Sequence, residues 1–252
     1  MLNQYLAATQ SLLQNPAAPS PLYSTALLTN FINSARGQLS GEAKCIRYMG
    51  TLALSVGVQA YQFSSIALPS AAAAGVQGVV GIETIWYQVG SGQQWIRPRP
   101  WPWFARYELS NPVPQSGPPK VWAQFGQGPA GPGVPNPVGG GSLYVSPLPD
   151  YTYTLPVDAV CYPKALTTDT DPEAIPYWWT DAIPYFAAYL ALMSAQTNAR
   201  MEQAKVMYGL YEEFVQRARR AATPMVLPGI YPQNPNPARA NQLGVAPGGA
   251  AA

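Results

Sequence analysis

The sequence predicts an α+β protein with a helical body, a long C-terminal helix, an antiparallel β-rich region and an extended C-terminal tail. Three observations lead to this fold class. Apolar residues recur at steps of three and four near both ends of the chain, and short β-like runs fill the middle. The last residues are rich in proline and glycine and cannot form a core of their own. We therefore predict one domain at 1–221 and a tail at 222–252.

Three segments carry the helical pattern, at about 1–15, 24–40 and 180–221. Ser24 or Thr25 can cap the second helix, and Gly37 and Gly41 are expected to end or fray it. One face of that helix is apolar and consists of Leu27, Leu28, Phe31, Ile32 and Ala35. The third segment has an apolar stripe at steps of three and four residues, and as a single helix it would be about 60 Å long.

The β-rich region is expected at about 47–163. Two short strands surround residues 56–59, "IETIWYQV" and "KVWAQFG" are strands, and "PSAAAAGVQGVVG" is a loop or the weak start of a strand. "SLYVSPL" and "YTYTLPVDAV" read as a hairpin that turns at Pro149-Asp150. Its core-facing positions would be Leu143, Val145, Tyr151, Tyr153 and Leu155. The prolines at 98, 100 and 102 predict an edge or an extended arm, because proline cannot donate to a sheet ladder. Residues 127–141 are a long Gly/Pro loop whose role stays open.

The composition argues against an enzyme. The chain has no histidine, which removes Ser-His-Asp and Cys-His nucleophiles and histidine-ligated zinc. Cys45 and Cys161 have no partnered spacing, so they are expected to be buried apolar side chains. The acidic residues Asp169, Asp171, Glu173 and Asp181 are expected to cap the start of a helix and to solvate a loop. We therefore expect no catalytic, cofactor or metal site.

Charged residues make up only 10% of the chain, against about 25% in ordinary globular proteins. Either the many prolines and glycines dilute every other residue type, or partner subunits cover much of the surface. The N-terminus has no signal-peptide pattern, and no window approaches the roughly 20 apolar residues of a membrane span. The expected compartment is the cytoplasm or a particle assembled there.

Two segments are candidate interaction sites. "RPRPWPWF" could stack on single-stranded nucleic acid or sugar, but protein docking through Trp101 and Trp103 is favoured. "GLYEEFVQRARR" ends in basic residues that could contact DNA phosphates or an acidic groove, or that could simply solvate the end of a helix. The tail beyond it carries apolar anchors at Met225, Val226, Leu227, Ile230 and Tyr231.

The order of several motifs resembles the adaptor, or head-to-tail connector, proteins of tailed bacteriophages, especially the type found in short-tailed phages. These motifs are "LLTNFINSARGQLS", "YQFSSI", "IETIWYQV", "WPWFARYE", "LYVSPLPDYTYTLPVDAVCYPKALTTDTD" and "DAIPYFAAYLAL". The resemblance spans about residues 25–220. Its most specific parts lie at residues 147–153 and 183–192.

The resemblance implies a ring, usually of twelve copies, below the portal protein in the virion neck. Such a ring assembles in the host cytoplasm, extends the channel for double-stranded DNA without sequence-specific binding, and offers a platform to the downstream tail or nozzle protein. No membrane is involved. The candidates for portal interaction are Arg217, Arg219, Arg220, Leu227, Ile230 and Tyr231. The tail-facing candidates are Trp101, Trp103, Pro149 and Asp150.

Two alternatives stay open. Another neck or tail component, such as a stopper or tail-tube subunit, is the main rival, although the long C-terminal helix argues against a small β-barrel stopper. A carbohydrate-binding β-domain that uses the tryptophans is the second.

Overall fold

The computed structural model of the chain describes residues 1–14, 22–89, 92–109, 115–126, 141–194 and 198–222. Within it, Met1–Ala222 forms one compact unit. The tail and most of the Gly/Pro loop lie outside the described residues, so the division into a domain and a tail stays a prediction.

The described residues contain both helices and a sheet, which confirms the α+β class. The helices are α1 (Leu2–Leu12), α2 (Thr25–Ala43), α3 (Ser70–Gly75), α4 (Trp101–Phe104), α5 (Ala182–Ser194) and α6 (Asn198–Ala222). The strands are β1 (Arg47–Leu54), β2 (Ala60–Gln62), β3 (Val76–Val89), β4 (Gly92–Pro98), β5 (Val121–Phe125), β6 (Ser142–Ser146) and β7 (Tyr153–Pro163). Short 3-10 turns occur at Phe63–Ser65 and Tyr177–Trp179, and a π-helical turn, Ala105–Leu109, continues α4.

Helix α2 begins where the sequence predicts but ends later. The Ser24 hydroxyl accepts a hydrogen bond from the Leu27 amide at 3.3 Å, which satisfies one of the free donors of the first turn. The expectation that Gly37 and Gly41 end the helix is wrong, because α2 continues to Ala43. Gly37 instead allows close packing: a Cβ atom there would lie 2.0 Å from the Tyr162 hydroxyl oxygen.

The expectation of one continuous helix at 180–221 is also wrong. Helices α5 and α6 pack side by side as an antiparallel hairpin, with α6 as the long C-terminal helix of 25 residues. Ring centroids face each other at 5.9, 4.6 and 5.1 Å in the pairs Tyr185–Phe214, Phe186–Tyr211 and Tyr189–Tyr208. In a straight helix the first pair would be about 43 Å apart. The apparently continuous stripe is therefore two stripes that face each other.

The seven strands form one curled, mixed sheet in the order β1-β7-β3-β4-β5-β6-β2. All neighbouring strands are antiparallel except β4 and β5, which are parallel, so the region is not wholly antiparallel as predicted. The two ends of this order, β1 and β2, are consecutive in the sequence. The Tyr61 hydroxyl of β2 holds the connection between them by donating to the Val58 carbonyl at 2.9 Å and accepting from the Ser55 amide at 3.0 Å.

The predicted β6–β7 hairpin does not form. Strand β6 lies between β5 and β2, whereas β7 lies between β1 and β3. The prolines of the connection prevent a simple hairpin ladder, and the backbone there bonds to other segments: the Leu148 amide donates to the Gln115 carbonyl at 2.9 Å. Leu143, Val145 and Leu155 are core residues as expected, but Tyr151 is 69% exposed.

The proline-rich segment is neither an edge nor an arm, because β4 lies inside the sheet. The Arg97 and Arg99 amides both donate towards β5, to the carbonyls of Lys120 and Trp122 at 3.0 and 2.8 Å. The missing donor of Pro98 faces the opposite side, beyond the last β3–β4 pair, Ile85 and Ile96, so it breaks no ladder bond. The later prolines begin α4, where helices tolerate proline. Residues 70–75, predicted as loop or weak strand, form α3.

A buried polar network ties the helices to the segment that precedes α5. The Arg36 guanidinium and the Glu173 carboxylate are 2.7 Å apart, and their side chains are 1% and 8% exposed. The Tyr5 hydroxyl of α1 donates to Glu173 at 2.9 Å, and burial, followed by the Glu173 charge, raises the pKa of Tyr5. Arg36 also donates to the Lys164 carbonyl at 2.7 Å. Glu173 therefore forms a buried ion pair, whereas the sequence predicted only a capping or solvating role for it.

The other acidic residues and the cysteines are closer to expectation. Asp171 accepts hydrogen bonds from the Thr167 and Thr168 amides at 2.6 and 2.7 Å, which fixes a turn. Cys45 and Cys161 are unpaired and buried, and burial raises their pKa values to about 11 and about 12. Both therefore stay neutral thiols at neutral pH, as apolar side chains should.

Candidate interaction surfaces

The basic end of α6 divides into residues that hold the fold and residues that face solvent. The Arg219 guanidinium donates to the Glu42 carbonyl at 2.7 Å, which places a cation at the C-terminal end of α2, where the helix dipole is negative. Arg217 and Arg220 are exposed, and Arg217 makes a 3.4 Å ion pair with Glu213 on its own helix. Two of the three portal-interaction arginines are therefore available to a partner.

The last turn of α6 is also held by Arg47 of β1. This guanidinium donates to the Ala222 carbonyl and pairs with Asp158, whose Oδ1 lies 3.1 Å from Nε. The hydrogen bond to Asp158 raises the pKa of Arg47. The C-terminal end of the compact unit is thus fixed against the sheet. The other portal-interaction candidates, Leu227, Ile230 and Tyr231, lie outside the described residues.

Trp101 forms one wall of an open groove at the end of β4 and β5. Its ring centroid lies 4.5 Å from that of Phe125 and 4.7 Å from that of Tyr144. The groove has a volume of about 400 Å³, and Arg99 and Trp122 also line it. Phe125 is 49% exposed at its rim. Trp101 is half-buried, so it both supports the sheet and presents an apolar surface.

Trp103 belongs to a column of two rings between two cations. We call it the arginine–aromatic column, and it consists of Arg99, Trp103, Tyr107 and Arg106. The Arg99 guanidinium carbon lies 4.8 Å from the Trp103 ring centroid, Trp103 and Tyr107 lie 5.3 Å apart, and Arg106 lies 5.6 Å from Tyr107. Steps of four residues through α4 and the π-helical turn place Arg99, Trp103 and Tyr107 along one side. Tyr107 is 55% exposed, so the column faces solvent.

Pro149 and Asp150 differ in exposure. Pro149 is buried, and its carbonyl accepts from the Gly57 amide at 2.9 Å, so this residue holds the turn. Asp150 is exposed and accepts from the Tyr153 hydroxyl at 2.6 Å. This hydrogen bond raises the pKa of Tyr153 to about 12. The structure places both tryptophans in α4, whereas Asp150 lies next to the start of β7.

Sequence reasoning did not select the most exposed aromatic pair. Tyr177 and Trp178 are 77% and 79% exposed on the 3-10 turn before α5, with ring centroids 6.4 Å apart. The one sequence signal is the run "PYWWTD", in which three consecutive aromatics follow no helical or strand period. Only Trp179 of this run packs against the core.

Searches of the described residues for two other kinds of site were negative. No group of three or more Cys, Asp or Glu side chains in that part of the chain is arranged to hold a metal ion. Among the same residues, no helix is both long and apolar enough to cross a membrane.

Comparison with known proteins gives a family match. The family model described as SU10 adaptor protein matches residues 3–228, which include every helix and strand of the compact unit. A search of curated proteins found no match to the chain.

Proposed function

The chain belongs to the SU10 adaptor protein family, and on this premise we propose that it forms a ring under the portal protein of a tailed phage. Family membership makes it a phage adaptor and a structural component of the virion neck. The finer proposal is a ring of about twelve copies that extends the DNA channel and provides the platform for tail attachment. In this role the protein is not an enzyme, and it assembles in the host cytoplasm.

The observation that carries the proposal is the length of the family match, since residues 3–228 span both the helical body and the sheet. Two features of the chain support a ring. A closed ring needs each copy to bury two different surfaces, and a low content of charged residues suits a surface covered in this way. Exposed aromatic residues on separate parts of the fold, at Tyr107 and at Tyr177–Trp178, suit contacts with more than one partner.

For the portal side we propose the end of α6 and the residues after it. Arg217 and Arg220 face solvent there. The bond from Arg47 to the Ala222 carbonyl fixes the point from which the following residues begin. Leu227, Ile230 and Tyr231 would supply the apolar anchors. Arg219 supports this surface indirectly, because it holds α6 to α2.

For the tail side we propose Trp101, Trp103 and Asp150, which are at least partly exposed. Pro149 supports the turn that presents Asp150. Double-stranded DNA would pass through the channel of the ring without sequence-specific contacts.

The first test is quantitative mass spectrometry of purified particles. We expect a copy number close to that of the portal protein, because a neck ring matches the portal in symmetry. A copy number far above the portal's, or absence from the particles, would reject the ring in favour of another tail component.

A second test addresses portal docking. Replacing Leu227, Ile230 and Tyr231 together with Ser should abolish binding to purified portal without changing the melting temperature, since these residues lie beyond the compact unit. Replacing Gln233, Asn234 and Asn236 with Ser is the matched control and should leave docking intact. Normal docking by the first variant would refute the assignment of the tail anchors.

A further inference from the structure

The surface around α4 carries an excess of positive charge that the chain does not neutralise. Between residues 84 and 149 the sequence has four basic residues and one acidic residue, Glu108. The basic residues are Arg97, Arg99, Arg106 and Lys120, and all four are exposed. Every Asp and Glu of the chain lies in the described residues, so the flanking segments that the structure does not describe cannot supply a carboxylate.

None of these four cations belongs to an ion pair in the described part of the chain. The one nearby carboxylate, Glu108, is occupied as the acceptor of a hydrogen bond from the Ser146 hydroxyl. By contrast, the acidic residues between 158 and 181 mostly have partners at short range, such as Arg36 for Glu173 and Arg47 for Asp158. In the described part of the chain, the charges of the α4 surface therefore have no ion-pair partner.

The parallel pairing of β4 and β5 places Arg97 next to Lys120. Arg97 lies opposite Val121, directly after Lys120, and its amide donates to the Lys120 carbonyl at 3.0 Å. Arg99 lies directly after β4, two residues beyond Arg97, and is the first residue of the arginine–aromatic column. Like charges on one surface repel each other, and an anionic partner relieves this repulsion.

The column also restricts what that anion can be. Arg99 and Arg106 lie over the faces of Trp103 and Tyr107, which orients each guanidinium. The planar N–H groups of a guanidinium can bind a carboxylate in a bidentate manner. Tyr107, Leu109 and Phe125 are 55%, 41% and 49% exposed around it. A duplex DNA backbone offers phosphates but nothing apolar for these side chains to cover, whereas a protein segment offers both.

We propose that the arginine–aromatic column, flanked by Arg97 and Lys120, binds an acidic protein segment of the downstream tail protein, with Asp or Glu side chains on the guanidinium groups and apolar side chains against Tyr107 and Phe125. This inference rests on the proposed function, because it names the chemistry of the partner on the tail side of the ring. It adds Arg97, Arg99, Arg106, Tyr107 and Lys120 to the tail-facing residues.

The direct test is photo-crosslinking in assembled particles. Full-length protein with benzoylphenylalanine in place of Tyr107 is supplied in trans to a phage that lacks the adaptor gene, and the particles are irradiated. We expect a crosslink to the tail protein within a peptide that contains several Asp or Glu residues. A crosslink to a second adaptor copy, to the portal or to DNA overturns the proposal, and so does a tail peptide without acidic residues.

Charge substitutions give a second readout. R99E/R106E should lower the fraction of particles with tails at least tenfold, while the amount of adaptor per portal stays unchanged. R99K/R106K should give an intermediate loss, since lysine keeps the charge but not the planar, bidentate contact. K164E/K205E, which changes the net charge equally at exposed positions elsewhere, is the matched control.

The two readouts separate this inference from the proposed function. If neither the unsubstituted protein nor any variant is present in the particles at a copy number close to the portal's, the proposed ring is wrong. If the adaptor is present but R99E/R106E attaches tails as well as K164E/K205E does, the ring stands and the docking surface is wrong. Because the crosslinking protein keeps all four cations, its result does not depend on whether R99E/R106E folds.

Discussion

At the scale of single residues, two glycines of α2 have opposite roles. Gly37 is buried, and a Cβ atom there would lie 2.0 Å from the hydroxyl oxygen and 2.7 Å from the Cζ atom of Tyr162. Gly41 lies one turn later, is exposed, and has no atom within 4 Å of its would-be Cβ. The sequence shows two equivalent helix breakers, but only Gly37 is required by packing.

We expect Gly37→Ala to destabilise the protein by about 1–3 kcal/mol, because the ring of Tyr162 must move. Gly41→Ala should instead stabilise it by up to about 1 kcal/mol, since alanine favours a helix. Urea unfolding of the two variants measures both effects. In a Tyr162→Leu background the cost of Gly37→Ala should largely disappear, and an undiminished cost would show that the ring is not its cause.

Asp171 gives the fold a dependence on acid. Hydrogen bonds from the Thr168 and Thr167 amides hold the pKa of Asp171 well below its ordinary value. A carboxyl group with a depressed folded pKa stabilises the protein above its unfolded pKa of about 3.9, and this contribution is lost as the pH falls towards the folded value.

We therefore expect Asp171→Asn to have a lower urea midpoint than the unsubstituted protein at pH 7, and the difference should shrink between about pH 4 and pH 2. Asp181→Asn is the control, because the exposed Asp181 accepts no hydrogen bond in the described part of the chain. A difference that stays constant over this range would mean that the charge of Asp171 does not contribute.

At the scale of the elements, periodicity correctly located most helices and strands but not their partners. The alternation in residues 143–145 and 153–157 correctly placed Leu143, Val145 and Leu155 in the core, because a strand pattern defines which face is buried. It does not define which strand lies alongside, so two runs joined by a proline-rich turn looked like a hairpin. The prediction of an edge or an arm at Pro98 was wrong for a similar reason. Whether a proline breaks a ladder depends on which side of the strand its missing donor faces, and the sequence does not show this.

The break between α5 and α6 was missed because the sequence there has no usual stop signal. Residues 194–198 read Ser-Ala-Gln-Thr-Asn, without glycine or proline, and apolar residues continue on both sides. The interaction surfaces were predictable only in part. Trp101 and Trp103 could be selected by residue type alone. The arginine–aromatic column could not, because the turn of α4 is what brings Arg99 and Arg106 onto their rings. Tyr177 and Trp178 can be recognised as exposed only once the core is known.

The helical hairpin can be tested by crosslinking. Tyr189→Cys together with Tyr208→Cys should react in high yield with a short bis-maleimide, because the native rings are 5.1 Å apart. In one straight helix these positions would be about 28 Å apart and could not be bridged. The native thiols of Cys45 and Cys161 are buried and should give little background. Tyr189→Cys with Arg220→Cys, which is about 18 Å further along α6, is the negative control.

At the scale of the whole molecule, the charges are distributed between separate regions. Acidic residues near α1 and α2 form ion pairs within the fold. Glu173 pairs with Arg36, and Asp169 pairs with the Met1 amino group at 2.7 Å. The α4 surface keeps its cations unpaired in the described part of the chain. A fold that pairs the charges of one region internally and leaves those of another region unpaired is suited to a protein that binds its neighbours through specific faces.

The compact unit Met1–Ala222 should fold without the residues that follow it. Its C-terminal end is held by Arg47, which donates to the Ala222 carbonyl, and by Arg219, which donates to the Glu42 carbonyl. Deleting 223–252 should therefore leave the melting temperature within about 2 °C of the full chain, as calorimetry can measure, and should abolish portal docking. Deleting only 240–252 keeps the apolar anchors and should preserve docking. A melting temperature lowered by many degrees in the longer deletion would show that the tail belongs to the folded unit, and portal docking that persisted without it would move the binding surface onto α6 itself.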